Sequence, residues 1–178
     1  MNEGSELRDD ERRWMEAGEG PLVFDEHVLD RPIRSIGLRP SVVVPEGALL
    51  SEAIRLMRER KIGSALATRE GRLVGIVTER DLLMRAALGE FDPAKIHVDA
   101  LMHHDPVVLT PDHPIAYALN LMSDGGFRHV PLVDAERRPV GIISMRDIVD
   151  YLAWFFREKV LNLPPTPQSS IAPHREGG

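Results

Sequence analysis

One short stretch occurs twice in this chain: Gly75-Ile76-Val77-Thr78-Glu79-Arg80-Asp81, then Gly141-Ile142-Ile143-Ser144-Met145-Arg146-Asp147, with the two aspartates 66 positions apart. Each copy reads as an apolar strand that runs into a hydroxyl residue, with an arginine and an aspartate in the first turn of the helix that follows. A repeat of this kind requires two copies of one folding unit. The flanking sequence repeats in step. Pro40-Ser41-Val42-Val43-Val44-Pro45 predicts a short strand, and Leu50, Ala53, Ile54 and Met57 fall at i, i+3, i+4, i+7, the apolar face of a helix. Pro106 to Pro111 and then Ile115, Ala118, Leu119 and Met122 repeat both features. Two apolar runs follow each helix, Ala65 to Thr68 and Leu73 to Val77 in one copy, Val130 to Val133 and Pro139 to Ile143 in the other. The polar turns between them, residues 69–72 and 134–138, suit short strand connections. A helix closes each copy, Glu79 to Leu88 stopped by Gly89, and Met145 to about Leu161 stopped by Pro164-Pro165. The expected fold is α/β (α+β), a pseudo-symmetric pair of β-α-β-β-α units.

The boundaries that follow are an acidic N-terminal arm over 1–30, a first repeat over 31–90, a second over 91–161 and a proline-rich tail over 162–178, expected to be disordered. A weak apolar face on Glu6 to Ala17 predicts at most a frayed helix in the arm. No run approaches the roughly 18 apolar residues of a spanning helix, and the acidic start carries no apolar signal segment, so a cytoplasmic location without membrane attachment is expected. Residues 1–30 hold ten acidic side chains against Arg8, Arg12 and Arg13, a net of −7 in a chain of −6. The rest is near neutral and lacks the positive field that nucleic acid demands.

The signature has its own chemistry. A carboxylate at a helix start can accept hydrogen bonds from both vicinal hydroxyls of a ribose, which makes Asp81 and Asp147 candidate sugar ligands. Thr78 and Ser144 place a hydroxyl beside the free amides of a helix N-terminus, where anions and polar sugars are welcome. Arg80 and Arg146 can extend guanidinium groups to phosphate oxygens. The competing reading is an ordinary capping box, in which hydroxyl and carboxylate only satisfy orphan amides. Duplication in register with the whole unit favours the binding role, and the two roles are compatible.

These residues, together with Arg128-His129-Val130-Pro131-Leu132-Val133-Asp134 and the segments Pro32 to Ile36 and Val98 to Met102 that enter each repeat, resemble the tandem cystathionine-β-synthase-type repeat, the CBS-domain pair or Bateman module. The resemblance covers residues 31–157. It implies back-to-back sheets and two clefts that bind adenosine-containing ligands in regulatory, energy-sensing proteins. Carried over residue by residue, it assigns Thr78, Arg80, Asp81, Thr110, Phe127, Arg128, His129 and Val130 to a first cleft. It assigns Val43, Val44, Ile62, Gly63, Ser64, Ala65, Ser144, Arg146 and Asp147 to a second. The first has Arg128 and His129 where phosphates would lie and the second has Gly63 and Ser64, so a phosphorylated adenosine ligand is expected to prefer the first.

The resulting expectation is a non-enzymatic module that needs no cofactor, binds AMP, ADP or ATP, with other adenosyl compounds open, and signals to an effector protein. A ligand-free oligomerising scaffold is the alternative. No nucleophile elbow, general base or phosphate loop is found. His97, His103, His104 and His113 read as linker histidines, because nothing completes a metal ligand set and the chain has no cysteine. The last helix, with Ile148, Tyr151, Leu152, Trp154, Phe155, Phe156 and Val160, has more apolar circumference than one core face uses, and a homodimer is expected from it.

Overall fold

A computed structural model of the chain describes residues 27–89 and 91–156; the acidic arm before residue 27, the stretch through Val160 to Leu161 and the proline-rich tail lie outside them. The first unit runs β1 (Val42–Pro45), α1 (Leu50–Arg60), β2 (Ser64–Arg69), β3 (Arg72–Thr78) and α2 (Glu79–Ala87). After β4 (His103–His104) the second runs α3 (Ile115–Gly125), β5 (His129–Val133), β6 (Pro139–Ser144) and α4 (Met145–Phe155). Short 3-10 turns, Ile33–Ile36 and Val98–Ala100, lead into the two units.

The helices form where the apolar period places them. α1 buries Leu50, Ala53 and Met57, and α3 buries Ile115, Ala118 and Met122, the same three positions of the repeat. α3 ends at Gly126, whose φ of 65° lets the chain turn back on itself; the preceding Gly125 has no Cβ because the Phe127 ring lies over it.

The strands show one departure from the repeat. In the first unit β1 lies parallel to β2, β2 antiparallel to β3 and β3 antiparallel to β4, giving a sheet of order β1-β2-β3-β4. In the second, only β5 and β6 form a sheet, and the expected strand from Pro106 to Pro111 shrinks to a single parallel bridge, Leu109 to Leu132. The cause lies in the facing strand. Ala65, which pairs with Val42, has its repeat counterpart in Pro131, which has no N–H to donate to a ladder. Two bonds survive, Leu109 N to Pro131 O at 3.1 Å and Val133 N to Leu109 O at 2.9 Å. The far edge of β6 is met by Arg39, bridged to Ile142, so the second layer reads Leu109, β5, β6, Arg39 where the first reads β1 to β4.

Three apolar clusters hold these layers. One lies under α1 and a second under α3 and α4. The third, Leu66, Leu73, Ile76, Val133 and Ile142, joins the two sheets back to back. The entering segments are exchanged between units. Val28, Ile33 and Ile36 pack into the second core, while Val98 and Met102 pack into the first. Backbone bonds fix both exchanges, Ile33 N to His113 O and Val98 N to Ala48 O, each 2.9 Å.

Candidate functional site

A cavity of about 450 Å³ opens where the end of β3 and the start of α2 face the turn between α3 and β5. That volume lies in the ordinary range for small-molecule sites. Thr78, Glu79, Arg80 and Asp81 line it from the first unit, Gly125 to His129 from the second. His103, Asp105, Pro106 and Val107 close one side, and Gly63, Ile76 and Pro131 complete the wall. Ile76, Val107, Phe127 and the prolines are its apolar side chains; the charged ones are Glu79, Arg80 and Asp81 at the helix start, with Asp105 and Arg128.

Asp81 is the centre of this arrangement. Its Oδ2 accepts the Thr78 amide at 2.8 Å and the Thr78 hydroxyl at 2.6 Å, which caps α2. Its Oδ1 has no part in the cap and meets His103 Nε2 at 2.9 Å. Burial pushes the Asp81 carboxyl up, but the Thr78 hydroxyl, the His103 imidazole and the Thr78 amide together outweigh it and hold the group below the usual aspartate value. Asp81 is therefore a carboxylate at neutral pH, with one oxygen committed to structure and the other turned to an exposed, replaceable partner. Arg80 reaches across to the second unit, its Nη1 donating to Gly126 O at 3.1 Å.

His129 is half-buried, and that partial burial pulls its pKa down; Asp147 and Glu79 oppose the shift and Arg128 reinforces it. A base whose folded pKa is lowered binds fewer protons in the folded state than in the unfolded one, so stability rises with pH through that window and is lost on acidification below about 6.5. The midpoint of thermal unfolding is expected to fall between pH 7.5 and pH 5.5, and His129→Gln to flatten that slope. A slope unchanged by the substitution would exclude His129 as its cause.

The second signature is built on the same cap. The Ser144 amide and hydroxyl donate to Asp147 Oδ2 at 2.8 and 2.6 Å, and the Asp147 amide donates back to Ser144 Oγ at 3.2 Å. Its Oδ1 is occupied differently, by Arg39 Nε at 2.5 Å, and the Asp147 side chain is only 7% exposed. The crevice beside it, lined by Ile33, Ile36, Leu38, Ile142 and Ile143, is too narrow for a water molecule. Arg146 turns outward to Asp150 at 3.4 Å.

Of the residues assigned to the first cleft, the cavity brings together Thr78, Arg80, Asp81, Phe127, Arg128 and His129. Val130 points into the second core, and Thr110 is held by His113, to whose Nδ1 its amide donates at 3.0 Å. Of the second set, Gly63 lines the first cavity instead, where the Glu79 carboxylate lies against it. Val44 and Ala65 belong to the first core, and Ser64 is buried with no partner for its hydroxyl among the described residues. Val43 is exposed and Ile62 partly buried against the first core.

The motifs gave no notice of Glu79, His103 or Asp105 as cavity residues. Glu79 sits inside the signature but varies between the copies, Met145 standing in its place. His103 and Asp105 lie in a linker whose path depends on tertiary pairing. Among the described residues no cluster of three or more histidine and acidic side chains is arranged to hold a metal ion, and no helix is long and apolar enough to cross a membrane.

Comparison with known proteins agrees with the architecture. A 17.7 kDa protein of Acidianus ambivalens, itself uncharacterized, is 34% identical over 107 residues, which span 60% of this chain and 63% of that relative. Among solved structures, the CBS domain pair of protein MJ0100 in complex with 5′-methylthioadenosine and S-adenosyl-L-methionine superposes with a TM-score of 0.62 at 25% identity, covering 69% of this chain and 96% of that one. The CBS domain protein PAE2072 from Pyrobaculum aerophilum, complexed with AMP, gives 0.61 at 25% identity, covering 70% and 98%. The family model described as CBS domain matches twice, at residues 33–87 and 98–153. Two matches, two capping signatures in register and two sheets joined back to back lead to one conclusion: the chain belongs to the CBS domain family, as a tandem pair.

Proposed function

We propose that this chain is a regulatory module that binds an adenosine-containing ligand, AMP in particular, in the cavity between Asp81 and Arg128, and passes its occupancy to a partner protein. The observation that carries the reading is Asp81 itself: an ionised carboxylate in a cavity of about 450 Å³, with one oxygen spent on the cap and the other available to ribose hydroxyls. Arg128 and His129 supply the phosphate end and Ile76, Val107 and Phe127 the faces for adenine. AMP in one related pair and two adenosyl compounds in another support this ligand class.

The charge of the cavity favours few phosphates. Two guanidinium groups, Arg80 and Arg128, face the carboxylates of Glu79 and Asp81, while Asp105 is paired with Arg137, so each phosphate beyond the first meets little uncompensated positive charge. Thermal unfolding with AMP, ATP, 5′-methylthioadenosine and S-adenosylmethionine tests this directly, since a ligand at 100 times its Kd stabilises the native state by about 2.7 kcal/mol. AMP is expected to raise the midpoint more than ATP. No shift with any of the four at millimolar concentration would leave the ligand-free scaffold as the better reading.

Assembly is proposed through the helices that follow the signatures. α2 buries none of its side chains and leaves Leu83, Met84 and the following Leu88 exposed; Val149, 66 positions after Leu83, is exposed on α4. Most of the apolar circumference of α4 is used at home, with Ile148 and Tyr151 buried and Leu152, Trp154 and Phe155 packed on the second core. A homodimer that covers α2 therefore has more apolar surface to gain than one built on α4 alone. Leu83→Glu is expected to convert a dimer to a monomer in sedimentation velocity. A wild-type chain that sediments as a monomer, or a variant that stays dimeric, would refute this face.

A further inference from the structure

The two capped aspartates differ in what holds their second oxygen, and the layer order makes the comparison strict. His103 stands opposite Ile76 on the edge of β3, and Arg39 stands opposite Ile142 on the edge of β6, where Ile76 and Ile142 are the same position of the repeat. Each of these residues comes from the segment entering a unit, and each reaches the Oδ1 of the signature aspartate beside it. In the first unit the partner is an imidazole that is 69% exposed, over a carboxylate 14% exposed. In the second it is a guanidinium 32% exposed, over a carboxylate 7% exposed.

We infer that Arg39 is a specificity-determining residue that keeps the second site closed: its permanent charge occupies the Asp147 oxygen that a ribose would need, while His103 leaves the corresponding Asp81 oxygen replaceable. A guanidinium remains charged at any physiological pH, and displacing it would strand a buried carboxylate and a half-buried cation together. An exposed imidazole gives up one hydrogen bond and returns to water. The chain thus takes one ligand per subunit although it carries two intact signatures. This rests on the adenosyl reading of the first cavity.

Calorimetric titration with AMP tests it through stoichiometry. The wild-type chain is expected to take up one AMP per chain and Asp81→Ala none; Arg39→His placed in the Asp81→Ala chain gives Asp147 the partner Asp81 has, and is expected to restore one per chain. The reciprocal variant, His103→Arg, changes an exposed position and is expected to keep the wild-type unfolding midpoint while weakening AMP at least tenfold. Two AMP per wild-type chain would overturn the inference. So would one per wild-type chain together with no uptake by the folded Arg39→His, Asp81→Ala protein, or unchanged affinity in His103→Arg, and in these cases the adenosyl reading would survive. No uptake by the wild-type chain would overturn that reading and the inference with it.

Discussion

Asp81→Ala is expected to weaken AMP binding by at least about 100-fold. Hydrogen bonds to a charged group contribute about 1.5–3 kcal/mol each, and a carboxylate oxygen shared by two ribose hydroxyls loses both, which amounts to roughly 3 kcal/mol or two orders of magnitude in Kd. The substitution also removes the Thr78 cap, at a cost of about 1 kcal/mol of stability. That loss is small beside the binding effect and is read separately, as a lower unfolding midpoint without ligand. Calorimetric titration of both proteins at the same pH separates the two quantities. A Kd within threefold of wild type would mean that Asp81 only caps α2.

Arg39→Ala is expected to destabilise the fold by about 3 kcal/mol, at the lower end of the range for breaking a buried ion pair because water reaches part of the guanidinium. Asp147 is the reason. Its side chain is 7% exposed, its Oδ2 is committed to Ser144, and its Oδ1 depends on Arg39. Removing the cation leaves a buried charge with half its acceptors unmet, whereas Arg39→Ala with Asp147→Ala removes both partners and is expected to recover part of the loss. Urea unfolding measures both, with the denaturant midpoint as the readout. A single substitution that costs less than about 1 kcal/mol would show that solvent compensates the carboxylate.

The succession helix, strand, strand, helix in both copies was legible because its helices follow from a period or a cap. Apolar residues at 50, 53, 54 and 57 and again at 115, 118, 119 and 122 can serve only a helix face, and Thr78 with Asp81 and Ser144 with Asp147 mark helix starts that both form. The back-to-back sheets came from the resemblance and not from spacing; the structure forms them by sending Leu66 and Ile76 to one side and Ala65 and Val77 to the other. Whether the capping boxes also bind was not decidable from spacing, since the same two residues serve both purposes.

What stayed hidden depended on pairing between distant segments. Pro131 in place of Ala65 dissolves a strand, an effect visible only once the two positions are known to face an incoming strand. Arg39 and His103 are structural counterparts 64 positions apart, while the signatures repeat at 66, so aligning the copies sets Arg39 against Asp105 and conceals the equivalence. Gly63, assigned to the second cleft by the resemblance, lines the first cavity because the backbone of β2 starts beside Glu79. The bare face of α2 escaped notice for a different reason. Nothing in the spacing of the signature marks it; in the structure Leu82 packs on the first core while Leu83, Met84 and Leu88 meet solvent.

A crystal structure of the chain grown with AMP would show the ligand in place. One nucleotide per chain is expected, its ribose hydroxyls on Asp81 Oδ1 with His103 displaced, its phosphate beside Arg128 and His129, and Arg39 still on Asp147. Nucleotide bound at Asp147 with the first cavity empty, or no nucleotide in either place at saturating concentration, would contradict this expectation.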